Sequence, residues 1–175
     1  MAGERSRERG QGVRRAEDLV GYNRRVFERF ERSAVRRGWA AAVKNHGTGH
    51  LSVKNTLVHV LNVHEAWLVA IAQEKWSVFD APGRRPDAVR SWKELRAYRE
   101  RVWAGEDALL KCLTETSLRR RVRAPWMPGR YTLADAVLQV TLEQAHHLGE
   151  VIAIYWQADR QPPAMTWIEN MRPRR

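Results

Sequence analysis

Three residues with metal-binding side chains interrupt the apolar stripes of two predicted helices. His59 lies among apolar residues at helical spacing, and Glu143 and His147 take such positions further along the chain. Residues four apart on a helix share one face, with Cβ atoms about 5–6 Å apart, so a carboxylate and an imidazole at this spacing can reach one atom. His59, on a neighbouring helix, would complete a set of three ligands.

A metal ion is one explanation of this pattern. A carboxylate among apolar groups is costly to bury unless its charge is compensated, and a divalent cation would compensate it. Three protein ligands leave a coordination position open, which is typical of catalytic sites. Two histidines and one carboxylate suit Zn, Ni, Fe or Mn. The alternative is that Glu143 and His147 only hydrogen-bond across one turn of a partly wet groove.

Two further residues lie close to this motif. His146 points about 100° away from His147 around the helix, so both cannot serve the same ion. Glu150 is a candidate acceptor that could orient the ring of His147, and its alternative role is that of a solvated glutamate. A di-iron carboxylate site would need Glu-x-x-His on two helices, and only Glu143-x-x-His146 fits that pattern.

The remaining histidines and the cysteine carry no second motif. His64 falls on the flank of its helix and is interpreted as a surface or hydrogen-bonding residue. His46 and His50 are predicted loop residues with no companion motif. Cys112, near the end of the third helix, is interpreted as a small buried apolar residue. No catalytic residue can be assigned beyond the three candidate ligands.

Four helices must position these residues. The first runs from about Ala16 to Arg37. The second begins after Ser52, which is a plausible N-cap. The third follows Pro86, at the position of a first helical residue. The fourth follows Thr132-x-x-Asp135, which resembles a capping box, and stops before a Pro-Pro pair.

These elements predict an all-α protein, an antiparallel four-helix bundle, without strands of any length. Residues 16–168 form this domain, between a disordered basic N-terminal tail at residues 1–15 and a basic C-terminal tail at residues 169–175. Gly105 is a weak point inside the third helix.

The composition is that of a globular protein with excess positive charge. The formal net charge is +11, which raises nucleic acid as a partner, yet the basic residues are concentrated at the two ends and in the run at 119–123. A non-catalytic protein that uses these Arg-rich segments to bind nucleic acid is therefore the alternative to an enzyme, and it ranks second. The single cysteine and the absence of a long apolar run or secretory signal favour a cytoplasmic protein without membrane contact.

Several segments resemble the DinB-like (DinB/YfiT) superfamily. Residues 56–62 and 65–68 resemble its second helix, and residues 143–150 resemble the His-x-x-x-His-Arg-Gly-Gln motif of its last helix. Residues 131–135 match the start of that helix, and residues 155–163 resemble the tail of one branch. Two positions depart from the pattern: Glu143 stands where His is commoner, and Leu148 stands where Arg is usual.

The resemblance implies a homodimeric antiparallel four-helix bundle that binds a divalent metal. Its ligand positions fall on His59, Glu143 and His147. Characterised relatives include transferases and isomerases that use low-molecular-weight thiols such as mycothiol or bacillithiol, where an open metal position activates the thiolate. By this resemblance the protein is a metal-dependent enzyme, a thiol-dependent transferase acting on small electrophiles or a hydrolase. Its metal, substrate and physiological thiol stay open.

Overall fold

The chain folds mainly into helices, as the apolar periodicity predicts. The computed structural model describes residues 10–81 and 84–170. Its α-helices are α1 (Gln11–Arg37), α2 (Trp39–Val43), α3 (Val53–His64), α4 (Trp92–Cys112), α5 (Glu115–Leu118), α6 (Leu133–Gln157) and α7 (Trp167–Asn170). Two short strands, β1 (Arg121–Val122) and β2 (Tyr131–Thr132), pair antiparallel. In this described part, no helix is long and apolar enough to cross a membrane.

The first helix starts earlier than its apolar stripe suggests. It begins at Gln11, so residues 11–15 of the predicted disordered tail are helical. Val13 is buried, and its backbone N–H donates to Glu115 Oε1 at 3.0 Å. A carboxylate at a helix N-terminus satisfies a free N–H group and interacts well with the helix dipole. The start of α1 is therefore stabilised by a residue distant in sequence. Residues 1–9 lie outside the described residues.

The helix that carries His59 has two parts. The N-cap prediction is confirmed, because the Ser52 side chain accepts from the backbone N–H of Asn55. After α3 the chain continues as a π-helical segment, Glu65–Ile71. In a π-helix the backbone hydrogen bonds join residues five apart, rather than four apart as in an α-helix. Gln73 Nε2 donates to the carbonyl oxygens of Leu68 and Gly105, each at 2.8 Å, which joins this segment to α4.

The third long helix starts later than predicted. Pro86 opens only a short 3-10 helix, Pro86–Ala88, and the backbone is extended at Val89. The α-helix begins at Trp92, where the Ser91 side chain accepts from the backbone N–H of Glu94. A second correction concerns Cys112. It is exposed rather than buried, because it lies on the outer face of the last turn of α4.

Two apolar clusters fill the interior. One is built mainly from α1, α3, α4 and the second half of α6, and the other from the N-terminal part of α1, the π-helical segment and the first half of α6. The helix α3 packs beside α6, and α1 contacts α6 as well. The predicted C-terminal tail is helical at its start, where Asn170 of α7 is buried. Residues 171–175 lie outside the described residues.

Candidate metal centre

The two helices that carry the candidate ligands are each fixed at their N-termini. Ser52 caps α3, and the predicted capping box of α6 is confirmed, because Thr132 and Asp135 each accept from the other's backbone N–H. These caps set where each helix begins, and therefore which residues face the neighbour. Since α3 and α6 lie side by side, His59 faces the Glu143–His147 face of α6.

The structure brings the three predicted residues together around one atom. His147 Nε2 lies 3.0 Å from His59 Nε2 and 3.2 Å from Glu143 Oε2. The rings of His59 and His147 are nearly perpendicular, with centroids 4.3 Å apart. The other carboxylate oxygen of Glu143, Oε1, accepts a hydrogen bond from Gln139 Nε2 at 2.7 Å. His147 Nε2 therefore lies in contact with a nitrogen of His59 on α3 and with an oxygen of Glu143 on its own helix.

The cluster includes a fourth side chain, that of His50, which the sequence does not indicate. His50 lies in the loop before α3, as predicted, but its ring stacks on His59 with centroids 3.9 Å apart and meets His147 edge-on at 4.8 Å. One nitrogen from each of the three rings lies within 4.8 Å of the other two. No periodicity could have indicated this contact, because the path of a loop decides where its side chain points.

Glu150 has the orienting position that the sequence indicated. Its Oε1 lies 3.1 Å from His147 Nδ1, and because a carboxylate only accepts, Nδ1 carries the proton. The opposite nitrogen, Nε2, then faces the cluster. Burial acts to raise the pKa of Glu150, but the hydrogen bond from His147 and the nearby His50 outweigh it, so the pKa is lowered. Such a carboxylate–histidine contact fixes ring orientation at metal sites.

The environment keeps two of the rings neutral at pH 7. Burial, together with the neighbouring imidazoles, lowers the pKa of His59 to about 4. Burial and the charge of His147 likewise lower the pKa of His50, against the opposing effect of Glu150. A neutral imidazole offers a free lone pair, which is the form that binds metal. His59 and His50 thus have the protonation state that metal binding requires.

The donor atoms also fit a cation on grounds of charge. With Nδ1 of His147 protonated, its Nε2 faces a second imidazole nitrogen and a carboxylate oxygen. Lone pairs that converge in this way repel one another unless a proton or a metal ion lies between them. Imidazole and carboxylate together suit divalent first-row transition metals.

A cavity of about 340 Å³ opens beside the candidate metal centre. His59 and Glu143 form part of its wall, and the rest is lined by Asn62, Val63, Ala66, Trp67, Phe79, Arg84, Trp126, Met127 and Gln139. The indole of Trp126 packs edge-on against both Trp67 and Phe79, at centroid distances of 6.0 Å. Its volume and mostly apolar wall are those of a small-molecule pocket.

A second polar cluster lies next to the site, and its His64, Glu106 and Gln144 side chains are buried. His64 Nδ1 lies 2.6 Å from Glu106 Oε1, and its Nε2 lies 3.0 Å from Gln144 Oε1. Glu106 also accepts from Arg24 Nε at 2.7 Å, and Gln144 donates to the Asn23 carbonyl oxygen. Of the two roles considered for His64, the hydrogen-bonding one is confirmed. Through Gln144, the residue after Glu143, this cluster connects α6 to α1, α3 and α4.

Comparison with protein families identifies a match. A family model described as the DinB superfamily matches residues 24–151, a segment that contains α3, most of α6 and all four residues of the cluster. A search of curated proteins finds no significant match.

Proposed function

Since this chain belongs to the DinB superfamily, we propose that it binds a divalent metal ion between α3 and α6, through His59, Glu143 and His147. The observation that carries the proposal is the contact of His147 Nε2 with both His59 Nε2 and Glu143 Oε2. The corresponding architecture is the antiparallel four-helix bundle. It is supported by the four long helical segments that share the two apolar clusters.

We further propose that the protein is an enzyme, a thiol-dependent transferase acting on small electrophiles. A bound divalent ion would supply Lewis acidity and lower the pKa of a thiol held there. The electrophile would occupy the aromatic cavity, whose wall includes His59 and Glu143. Trp67, Phe79 and Trp126 would hold its apolar part and exclude water.

Direct metal binding tests the first part of this proposal. Equilibrium dialysis against Zn, Ni, Fe or Mn should load the wild-type chain, and His147→Ala should abolish the loading while far-UV circular dichroism keeps its helical form. Gln139→Ala is a matched control, since it removes a hydrogen bond to Glu143 but no donor atom. Equal loading of wild type and His147→Ala would exclude this site.

The proposed transferase activity is tested by an assay of thiol consumption. Metal-loaded protein, incubated with mycothiol or bacillithiol and a panel of small electrophiles, should consume thiol faster than the His147→Ala variant does. Trp126→Ala, which removes one wall of the cavity, should raise KM for the electrophile more than it changes kcat. Thiol consumption that is the same with and without metal would contradict the transferase proposal but would leave metal binding intact.

A basic groove supports the second candidate, a nucleic-acid-binding role. Arg120, Arg121, Arg123 and Arg130 line a groove of about 260 Å³ next to Trp76. Guanidinium groups contact phosphates and an exposed indole can stack on a base. Binding of a single-stranded oligonucleotide should then weaken steeply with salt and be lost in Arg121→Ala/Arg123→Ala. Unchanged affinity in that variant would remove this candidate.

The resemblance also implies a homodimer. On α6 the side chains of Leu138, Leu142 and Trp156 are exposed, and we propose that this face meets a second copy of the chain. Light scattering after gel filtration should give the mass of a dimer, and Leu142→Glu should give that of a monomer. A wild-type monomer at micromolar concentration would contradict it.

A further inference from the structure

We propose that His50 is a further ligand of this metal ion, so that the site holds three imidazoles and one carboxylate. The proposal rests on the metal-binding function proposed above, and it adds a residue that neither helix supplies. Its basis is the three-ring group of His50, His59 and His147, whose nitrogens lie within 4.8 Å of one another.

The distances suit a shared ion. Imidazole nitrogens bind first-row metals at about 2.0–2.1 Å, so two ligands of one ion lie at most about 4.2 Å apart. His59 and His147 already meet this limit at 3.0 Å, and the third nitrogen is within 4.8 Å of both. Rotation of the His50 ring out of its stack on His59 would bring its nitrogen onto the same ion.

The loop holds His50 at the site in a conformation that has an energetic cost. The backbone N–H of Ser52 donates to the His50 carbonyl oxygen at 2.8 Å, which closes a three-residue turn around Leu51. Leu51 has φ +67°, a left-handed conformation that is unfavourable for a residue with a Cβ. Such strain persists where surrounding contacts determine the backbone, and ligand sites are common among such places.

Contacts from the rest of the loop keep this turn in place. The backbone N–H of Leu51 donates to the Thr48 carbonyl oxygen at 2.9 Å, and the N–H of His46 donates to the Leu51 carbonyl oxygen at 2.7 Å. On the other side, Glu150 lies close to the loop, with its carboxylate next to Gly49. Glu150 thus contacts the ring of His147 and the loop that carries His50, and it couples their positions.

The added imidazole changes which ion the site suits. Four donors from His50, His59, His147 and Glu143 would leave two positions open on a six-coordinate ion and none on a tetrahedral one. A six-coordinate ion such as Ni, Fe or Mn can then still accept both a thiol and a second small molecule. Nearly tetrahedral zinc would be saturated by the protein. The proposal therefore predicts that the native ion is six-coordinate.

The test compares metal affinities of matched variants. Competition with a chromophoric chelator should show that His50→Ala binds Zn and Ni at least about 100-fold more weakly than wild type. Glu150→Gln, which neutralises the carboxylate that orients His147, should lose about 10- to 100-fold. His146→Ala tests the other possible group, in which donor atoms of His146, His147 and Glu150 lie within 4.8 Å of one another. Its affinity should not change if the ion lies between His50, His59 and His147.

A second measurement does not depend on the folding of a variant. Long-range ¹H–¹⁵N spectra of the wild-type protein, recorded while Zn is added, should show metal-induced shifts of a ring nitrogen in three histidines. Shifts in two histidines only, or wild-type affinity in His50→Ala, would overturn the role of His50 while leaving the proposed function standing. If His147→Ala binds as tightly as wild type, the proposed function itself fails.

Discussion

Replacement of Glu106 by glutamine should destabilise the protein strongly, although the two side chains have the same shape. Glu106 is fully buried, and its two oxygens accept from Arg24 Nε at 2.7 Å and from His64 Nδ1 at 2.6 Å. Both ring nitrogens of His64 also face oxygens, one of Glu106 and one of Gln144. Glu106→Gln removes the negative charge that balances the Arg24 guanidinium and replaces one acceptor oxygen by an NH₂ donor.

The expected loss follows from the burial of the partners. Removal of one member of a buried ion pair costs about 3–5 kcal/mol. Arg24 keeps a second partner in Asp107 and is partly exposed, so the lower end, about 3 kcal/mol, applies here. For a chain of this size, that corresponds to a fall in Tm of about 6–12 °C.

Urea denaturation followed by circular dichroism measures this loss. Asp107→Asn is the matched control, because it removes the exposed partner of the same guanidinium, and it should cost less than about 1 kcal/mol. If the free energy of unfolding of Glu106→Gln lies within about 1 kcal/mol of the wild-type value, the buried cluster does not contribute as argued.

Two further predictions concern packing and pH. Gly105→Ala should destabilise the protein although alanine favours helix by about 1 kcal/mol, because the new Cβ would lie 2.6 Å from Val69 Cγ2, and overpacking costs about 1–3 kcal/mol. Urea denaturation should show a smaller loss when Val69→Ala is also present, and a Gly105→Ala variant more stable than wild type would contradict the packing. In metal-free protein, the native state binds fewer protons than the unfolded chain between pH about 6.5 and about 4, since the pKa of His59 is lowered to about 4. The free energy of unfolding should therefore decrease as pH falls through this window, an effect that should be smaller in His59→Gln. Equal pH profiles of the two proteins would contradict the lowered pKa.

The part of the site that lies on regular helices could be predicted from the sequence. The i, i+4 spacing of Glu143 and His147 fixes their common face, and the caps at Ser52 and Thr132 set where the helices begin. The face of His59 follows from the apolar residues around it, because they must point to the interior. Local rules therefore account for three of the four clustered residues.

The rest depends on contacts between distant parts of the chain. His50 joins the cluster through a strained turn at Leu51, and no periodicity describes such a turn. The helix α1 begins at an earlier residue than its apolar stripe predicts. The backbone N–H of Val13 donates there to Glu115, which lies about a hundred residues later in the chain. The π-helical segment is likewise joined to α4 through Gln73. A side chain that satisfies a distant backbone group leaves no pattern in its own neighbourhood.

Cys112 shows the limit of assigning burial by residue type. Free cysteines are commonly buried, which made a buried position the natural prediction. It lies on the last turn of α4, where Leu109 and the C-cap residue Leu113 are buried and Lys111 and Cys112 are exposed. Its exposure follows from its place on the helix face.

The most direct test of the account is the metal content and thermal stability of the protein purified without chelator. The account predicts about one equivalent of bound divalent metal. Added Ni, Zn or Mn at about 100 times the Kd should stabilise metal-free protein by about 2.7 kcal/mol, raising Tm by about 5–10 °C in wild type and not in His147→Ala. Protein that contains no metal and whose Tm does not respond to any of these ions would contradict a metal centre at His59, Glu143 and His147.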